Sequence, residues 1–396
     1  MYYGDDWPSM PDGTPYDGKN LLELVRSGKS LFDGVWDVKL LIQEIEEKLK
    51  TQITGIPAVH KGSNNYGFHI TSTSRPDIVA RLAQDDVNMP EFDSFPLEVQ
   101  VREVHFEMAV YNLLRSEPAI LASRLLYGPI PHDITGRRLL VFEKADGVSN
   151  VWEDLTANGK LHLLRQLANI HAALFRYDHP QDFAAQNLLE RLFKFKPNSL
   201  SMPVAPTRKF WMYLLESKIK ATIQNEGDMI GWEDDNETVG PIALAAKESL
   251  LRAIPYILPV DKATVPEESL YRLVLEHGDF GIHNTAIAVD DDGKPQVTSL
   301  FDWETSCIWP ALLSDPLVAA GPVDLIVGED GQPAVTRLPE GATQVDLDTY
   351  AAWARHYIQT VIRAGKDFRH LCFFGKLGEW AENLMQAHGV IGSSAH

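Results

Sequence analysis

Residues 271–304 read YRLVLEHGDFGIHNTAIAVDDDGKPQVTSLFDWE, and no other stretch restricts the possible folds as tightly. Two apolar runs suited to strands flank Asp290-Asp291-Asp292-Gly293-Lys294. An Asp-Gly pair between such runs is a strong hairpin signal, because glycine accepts the positive φ of a tight turn. With Gly293 near the tip, Asn284 lies nine residues before it and Asp302 nine residues after it. Near-symmetric arms bring the two side chains together, directly paired residues having Cβ atoms roughly 5 Å apart. Both offer oxygen, the donor that Mg²⁺ takes from a few protein groups and from phosphate.

Asp279 precedes Asn284 with four residues between them, in His277-Gly278-Asp279-Phe280-Gly281-Ile282-His283-Asn284. That spacing is the catalytic-loop arrangement of kinases, in which the Asp accepts the proton of the attacking hydroxyl and the Asn holds a metal. A later Asp, here Asp302, holds the other metal contact. Phosphoryl transfer needs charge neutralisation and in-line positioning more than covalent help, and two acids with an amide supply both around Mg²⁺.

The His-Gly-Asp loop, the Asn five residues on from its Asp and the later Asp302-Trp303-Glu304 resemble the aminoglycoside phosphotransferase and choline kinase-like superfamily, and most of all its fungal branch of small-molecule kinase-like proteins. The resemblance implies an α+β, two-lobed protein-kinase-like fold with an antiparallel-sheet N-lobe and a mainly helical C-lobe. It implies ATP or GTP and Mg²⁺ as cofactors. Gly62 to Phe68 is similar to the family's short nucleotide loop, which makes Ser63 and Asn64 phosphate contacts through their backbone. Arg81, in Ile78-Val79-Ala80-Arg81-Leu82, stands where the family has a phosphate-binding lysine, and Glu107 where it has the helix partner of that residue. Leu140 to Lys144 matches the hinge that meets the base through its backbone, which assigns Phe142 and Glu143 to the nucleotide. Asp279 is then the catalytic residue, and Asn284 and Asp302 are the metal ligands. Arg81 departs from the family pattern: it keeps the charge of lysine but presents a planar fork. His277 supports the loop, Glu304 is either an auxiliary carboxylate near the metal or a surface or salt-bridged one, and Asp315 anchors the chain after it. His283 faces substrate or fills the loop.

Elsewhere, Trp36 to Leu49, Val99 to Leu114 and Leu161 to Tyr177 carry apolar residues at helical spacing. Helices are also expected over 206–225, 237–254, 346–364 and 367–387. Strands are expected at Gly67–Thr71, Asp77–Leu82 and Arg138–Lys144. Residues 1–20, rich in Gly, Pro and Asp, read as an extended or disordered arm. The N-lobe then spans 21–145 and the C-lobe 146–396. Residues 180–265 match nothing in the family closely. Trp309, Trp353 and Trp380 are candidates for the border of a substrate pocket.

Lys and Arg number 36 against 55 Asp and Glu, a net charge of −19. Such acidity argues against nucleic acid or an anionic membrane as a partner and leans towards a cationic acceptor. The two cysteines, Cys307 and Cys372, allow at most one bridge and no cysteine-rich zinc site. Their scarcity and the N-terminal composition point to the cytoplasm, and no apolar run is long enough to cross a membrane. These readings converge on a phosphotransferase that acts on a hydroxyl of a small molecule. The alternative is a catalytically silent kinase-fold protein that binds a ligand or serves a pathway.

Overall fold

Helix α1 (Leu21–Arg26) buries Leu21, Leu22 and Val25, and α2 (Val38–Leu49) buries Val38, Leu41 and Ile45. Each thus turns one apolar stripe inward, as residues at helical spacing do. Asp37 starts α2 by accepting a hydrogen bond from the Lys39 amide at 2.8 Å. The computed structural model describes residues 7–32, 37–62, 65–83, 97–128, 138–180, 182–185, 188, 199–224, 243–258, 266–314, 316–328 and 330–365. The chain divides into two compact units, Met1–Gly147 with Thr298–Glu304, and Val148–Val297 with Thr305–His396. The sequence suggests a boundary near 145. The return of Thr298–Glu304 to the first unit is a tertiary event that no linear division foresees.

In the first unit, β1 (Ile53–Lys61), β2 (Asn65–Ser72) and β3 (Ile78–Ala83) are followed by α3 (Leu97–Leu114), β4 (Leu125–Tyr127) and β5 (Leu139–Glu143). The strands form an antiparallel sheet in the order β1-β2-β3-β5-β4. Strand side chains alternate between faces. Tyr66, Phe68 and Ile70 of β2 and Ile78, Ala80 and Leu82 of β3 therefore share one buried face, packed with residues of α1 and α2 in a single core. Arg81 and His69 belong to the opposite face, Arg81 opposite Gly67 and His69 opposite Val79.

The N-terminal arm differs from its expected extended or disordered state. Trp7 stacks on Tyr16 with ring centroids 5.8 Å apart and lies 5.9 Å from Tyr66, and Tyr16 and Phe32 are buried. The Val59 amide donates to the Gly18 carbonyl at 2.6 Å. Gly18 has φ +74°, and a Cβ there would stand 2.1 Å from the Val59 oxygen. β1 is an edge strand, and unpaired edge groups favour such a cover. Three aromatic side chains outweigh the turn-forming composition around them.

The second unit contains α4 (Ala157–Arg176), α5 (Arg208–Thr222), α6 (Ala243–Ile257), α7 (Glu267–Tyr271), β6 (Leu273–Glu276), β7 (Thr285–Val289), β8 (Pro295–Leu300), β9 (Cys307–Pro310), β10 (Val318–Ala320), β11 (Val323–Val327), β12 (Pro333–Thr336) and α8 (Gln344–Arg363). β6 pairs with β9, β7 with β8, and β10, β11 and β12 form a small sheet. The last residues of β8 and those following it group with the first unit. Within that unit the Leu300 amide donates to Leu121 O at 2.8 Å, and the Ser123 amide donates to Leu300 O at 3.0 Å. Thr156 caps α4, and a Thr343–Asp346 capping box starts α8. The expected helices at 346–364 and 206–225 correspond to α8 and α5. The expected helix at 367–387 lies outside the described residues. Antiparallel sheet in the first unit with a largely helical second unit makes the architecture α+β. Among the described residues no helix is long and apolar enough to cross a membrane.

Candidate active site

The first unit assembles one charged group. Ala80 and Leu82 point into the core, so the alternation of β3 sends Arg81 out on the other face. There its guanidinium meets two acids. Nη2 pairs with Glu107 of α3, and Nη1 donates to Asp302 Oδ1 at 2.7 Å. Glu107 is 2 % exposed, and a carboxylate so buried needs a cationic partner. Burial works against the guanidinium's charge, but Glu107, Tyr111, Asp302 and Glu304 more than offset it, and the Arg81 pKa moves upward. Tyr111 lies one helical turn beyond Glu107, and its hydroxyl oxygen accepts from the Asp302 amide at 3.0 Å. Burial pushes the Tyr111 phenol well up, so it stays a neutral hydrogen-bonding group. Asp302 has φ +66°, a left-handed conformation that non-glycine residues rarely hold without surrounding contacts that impose it. Glu304 lines the same pocket as Arg81, Glu107 and Asn65.

Phe142 lies under this group. Its ring is 4.8 Å from that of Tyr111, and the Arg81 guanidinium sits 5.8 Å from its centroid. The Glu143 carboxylate pairs with Arg124 at 3.0 Å. The amides of Glu143 and Lys144 donate to Arg124 O and Asp77 O. Both of these backbone donors are thus committed to partners within the first unit. Ser63 and Asn64 lie outside the described residues.

The second unit assembles the loop. β6 delivers the chain into His277, Gly278 and Asp279. Gly278 has φ +84°, and a Cβ there would fall 2.2 Å from the Thr305 carbonyl oxygen, so only glycine fits. Phe280 and Ile282 are buried and anchor the loop, and the Ala319 amide of β10 donates to Phe280 O at 3.0 Å. A 3-10 turn, Ile282–Asn284, folds Asn284 back. Its Nδ2 donates to the Asp279 carbonyl at 2.9 Å and to Asp279 Oδ2 at 3.0 Å. That leaves the amide oxygen of Asn284 as the atom suited to a hard cation. His283 Nε2 donates to the same Oδ2 at 3.0 Å. The His283 hydrogen bond is the largest influence on Asp279 and holds its carboxyl below the usual range; burial opposes this, and Asn284 and His277 add to it. Asp279 is therefore ionised near neutral pH, as a proton acceptor must be.

His277 is buried beneath the loop, its ring centroid 6.2 Å from that of Phe280 and its carbonyl accepting from the Thr305 hydroxyl at 3.2 Å. His171 is also buried, bonded through Nδ1 to the Tyr357 hydroxyl at 2.8 Å and 3.7 Å from Glu276, which also accepts from the Ser314 hydroxyl. Sequence reasoning did not single out Tyr111, Tyr357 or Glu276. Tyr111 alone carried a signal, its spacing of four from Glu107. Trp309 packs with Phe175, Val274 and Ala311 as core. Trp353 meets Trp152 edge-on at 5.0 Å, and the Lys160 ammonium lies 5.3 and 5.6 Å from the two ring centroids. The chain's own cation thus covers those faces. Trp380 and Asp315 lie outside the described residues.

Among the described residues no three His, Cys, Asp or Glu side chains gather into a cage for a metal. Mg²⁺ does not require one, because it is commonly held by one or two protein oxygens together with phosphate and water. The carboxylate of Asp302 in the first unit and the amide oxygen of Asn284 in the second are each oxygen donors of that kind.

The Asp-x₄-Asn turn of the second unit and, in the first, the strand arginine ion-paired to a helix glutamate are both patterns that the family resemblance leads one to expect. The sequence matches the family model for APH, the phosphotransferase enzyme family, over residues 55–313, and the chain belongs to that family. Similar solved structures include the GDP and kanamycin complex of APH(2")-IIia, at 15 % identity, covering 88 % of this chain and 93 % of the other with a TM-score of 0.39. The apo form of a thermostable mutant of aminoglycoside phosphotransferase APH(4)-Ia is 14 % identical, with 89 % and 100 % covered and a TM-score of 0.39. The amicoumacin kinase hAmiN, in complex with AMP-PNP, Ca²⁺ and Ami, is 11 % identical, with 83 % and 78 % covered and a TM-score of 0.39. No curated protein matches the sequence.

Proposed function

We propose that this protein transfers the γ-phosphoryl group of ATP or GTP to a hydroxyl of a small molecule, with Mg²⁺ as cofactor. The observation that supports this most directly is the Asp279 carboxylate, ionised and held through one oxygen by His283 and Asn284. Asp279 takes the proton of the acceptor hydroxyl as that oxygen bonds to the γ-phosphorus. The bond from the γ-phosphorus to the leaving diphosphate oxygen breaks, and the nucleoside diphosphate departs. Arg81, oriented by Glu107, steadies the phosphates. Asn284 and Asp302 would hold Mg²⁺, and the metal, when bound, would neutralise phosphate charge. Ser63 and Asn64 contact phosphate, and the chain around Phe142 and Glu143 receives the base. The net charge of −19 favours a cationic acceptor, so hydroxylated amines are the class to screen first. The same proposal places the protein in the cytoplasm.

A second reading is a catalytically silent binding protein, and the Arg81 contact on Asp302 favours it, since it occupies a metal ligand. Calorimetric titration with ATP and GTP, with and without Mg²⁺, separates the two. Saturable Mg²⁺-dependent binding that weakens in Asp302→Asn supports the kinase reading. Absence of nucleotide binding under every condition overturns it.

A further inference from the structure

The two oxygens of Asp279 are not equivalent. Oδ2 accepts from both His283 and Asn284, while among the described residues Oδ1 accepts from none. A carboxylate turns readily about its Cβ–Cγ bond, because such terminal torsions are broad. One donor would leave that rotation loose, whereas two donors converging on one oxygen from neighbouring residues fix it.

The position of the His283 ring is itself built into the loop. Gly281 is extended, with φ −167°, so its backbone does not demand glycine. Its side does: a Cβ there would lie 2.6 Å from His283 Cε1 and 2.7 Å from Nδ1, and 2.8 Å from the Ala319 Cβ. The ring lies against the bare Cα of Gly281, on the side where Gly281 bridges to Ala319 of β10. An ordinary exposed pair four residues apart on a surface needs no such slot.

We propose that His283 is a positioning residue for Asp279, fixing the carboxylate so that Oδ1 alone faces the acceptor hydroxyl. This rests on the reading of Asp279 as the proton acceptor. His283 touches neither acceptor nor nucleotide in this scheme and acts only through Asp279.

The test compares release of phosphate from Mg·ATP, with water as acceptor, in wild type, Asp279→Asn, His283→Ala, His283→Gln and the Asp279→Asn/His283→Ala double variant. Loss of orientation predicts that His283→Ala lowers kcat at least about tenfold, with KM for Mg·ATP within about twofold of wild type. His283→Gln, which keeps an N–H donor, recovers most of that loss. In the Asp279→Asn background His283→Ala produces no further change. A His283→Ala rate equal to wild type overturns the proposal, and so does an equal loss in both backgrounds. An Asp279→Asn rate equal to wild type instead overturns Asp279 as base. The crystal structure of unliganded His283→Ala gives a readout that needs no turnover and decides alone if the wild type is inactive. The proposal expects the Asp279 carboxylate to rotate or spread over several orientations. A single unchanged orientation held by Asn284 refutes it.

Discussion

Arg81 sits on Asp302 through one guanidinium nitrogen at 2.7 Å while its other arm holds Glu107, so one cation from β3 neutralises two acids from distant parts of the sequence. If Asp302 holds a divalent metal as proposed, that metal would have to compete with the guanidinium, and the N–H it freed would be available to phosphate. Without nucleotide, Arg81→Gln is therefore expected to bind Mn²⁺ about tenfold more tightly than wild type, as removal of one charge contact of roughly 1–2 kcal/mol implies. Arg81→Lys, which cannot fork across both acids, falls between them. Paramagnetic titration with Mn²⁺ reads this directly, with Asp302→Asn as the non-binding reference. Equal affinity in wild type and Arg81→Gln removes the competition.

Glu107 is the buried member of that trio, and its loss reaches stability before chemistry. Glu107→Ala leaves the Arg81 charge with Asp302 and Glu304 as its remaining acid neighbours. Breaking a buried pair costs about 3–5 kcal/mol, and the surviving contact reduces this towards about 2–3 kcal/mol. Urea unfolding followed by tryptophan fluorescence measures the difference. A change below about 0.5 kcal/mol, the usual surface value, would mean that Glu107 is not a structural counter-charge.

The parts of the site that follow from local chemistry were legible in the sequence, and the parts made by tertiary return were not. The Asp-Gly turn predicts the hairpin of β7 and β8, and the spacing of Asp279 and Asn284 marks a catalytic-loop pattern, though not the hydrogen bond of Asn284 Nδ2 to Asp279. The pairing of Arg81 with Glu107 was expected from the family resemblance and is present. The contact of Arg81 with Asp302 depends on Thr298–Glu304 joining the first unit, and periodicity carries no information on that. Strands β9 to β12 are three to five residues long, too short for a pattern to stand out. Residues 7–20 pack into the first unit because Trp7 and Tyr16, together with Phe32, outweigh the turn-rich composition around them.

Two glycines separate a backbone requirement from a steric one. Gly278 and Gly293 both have positive φ, +84° and +74°. A Cβ on Gly293 meets nothing within 4 Å, so Gly293→Ala should cost only the left-handed backbone penalty of about 1–2 kcal/mol. A Cβ on Gly278 meets the Thr305 carbonyl at 2.2 Å, and neither backbone can yield without moving the loop. Gly278→Ala should lose more than about 3 kcal/mol, as other large steric failures do, and should abolish phosphate release even where it remains folded. Thermal melts of the two variants side by side test the contrast, and equal costs would place the Gly278 loop elsewhere.

His69 gives the protein a pH dependence whose sign can be derived. Its ring lies edge-on to His60 at 4.9 Å on the Arg81 face of the sheet. Burial, with His60 and Lys144 adding and Asp77 opposing, pulls its pKa down to about 4 from 6.5. Between these values the unfolded chain binds a proton that the folded chain refuses. Stability therefore rises with pH across that window, and it is lost on acidification from about 6.5 downward, levelling off below about 4. At about 1.4 kcal/mol for each pH unit by which a pKa moves, and with part of the ring open to solvent, the effect is at most about 3 kcal/mol. Urea unfolding of wild type and His69→Gln at pH 7.5 and pH 5.0 measures it. The wild type should lose more stability than the variant on going to pH 5.0. A parallel loss in both proteins would assign the acid sensitivity to other groups and leave His69 protonating as readily in the folded chain as in the unfolded one.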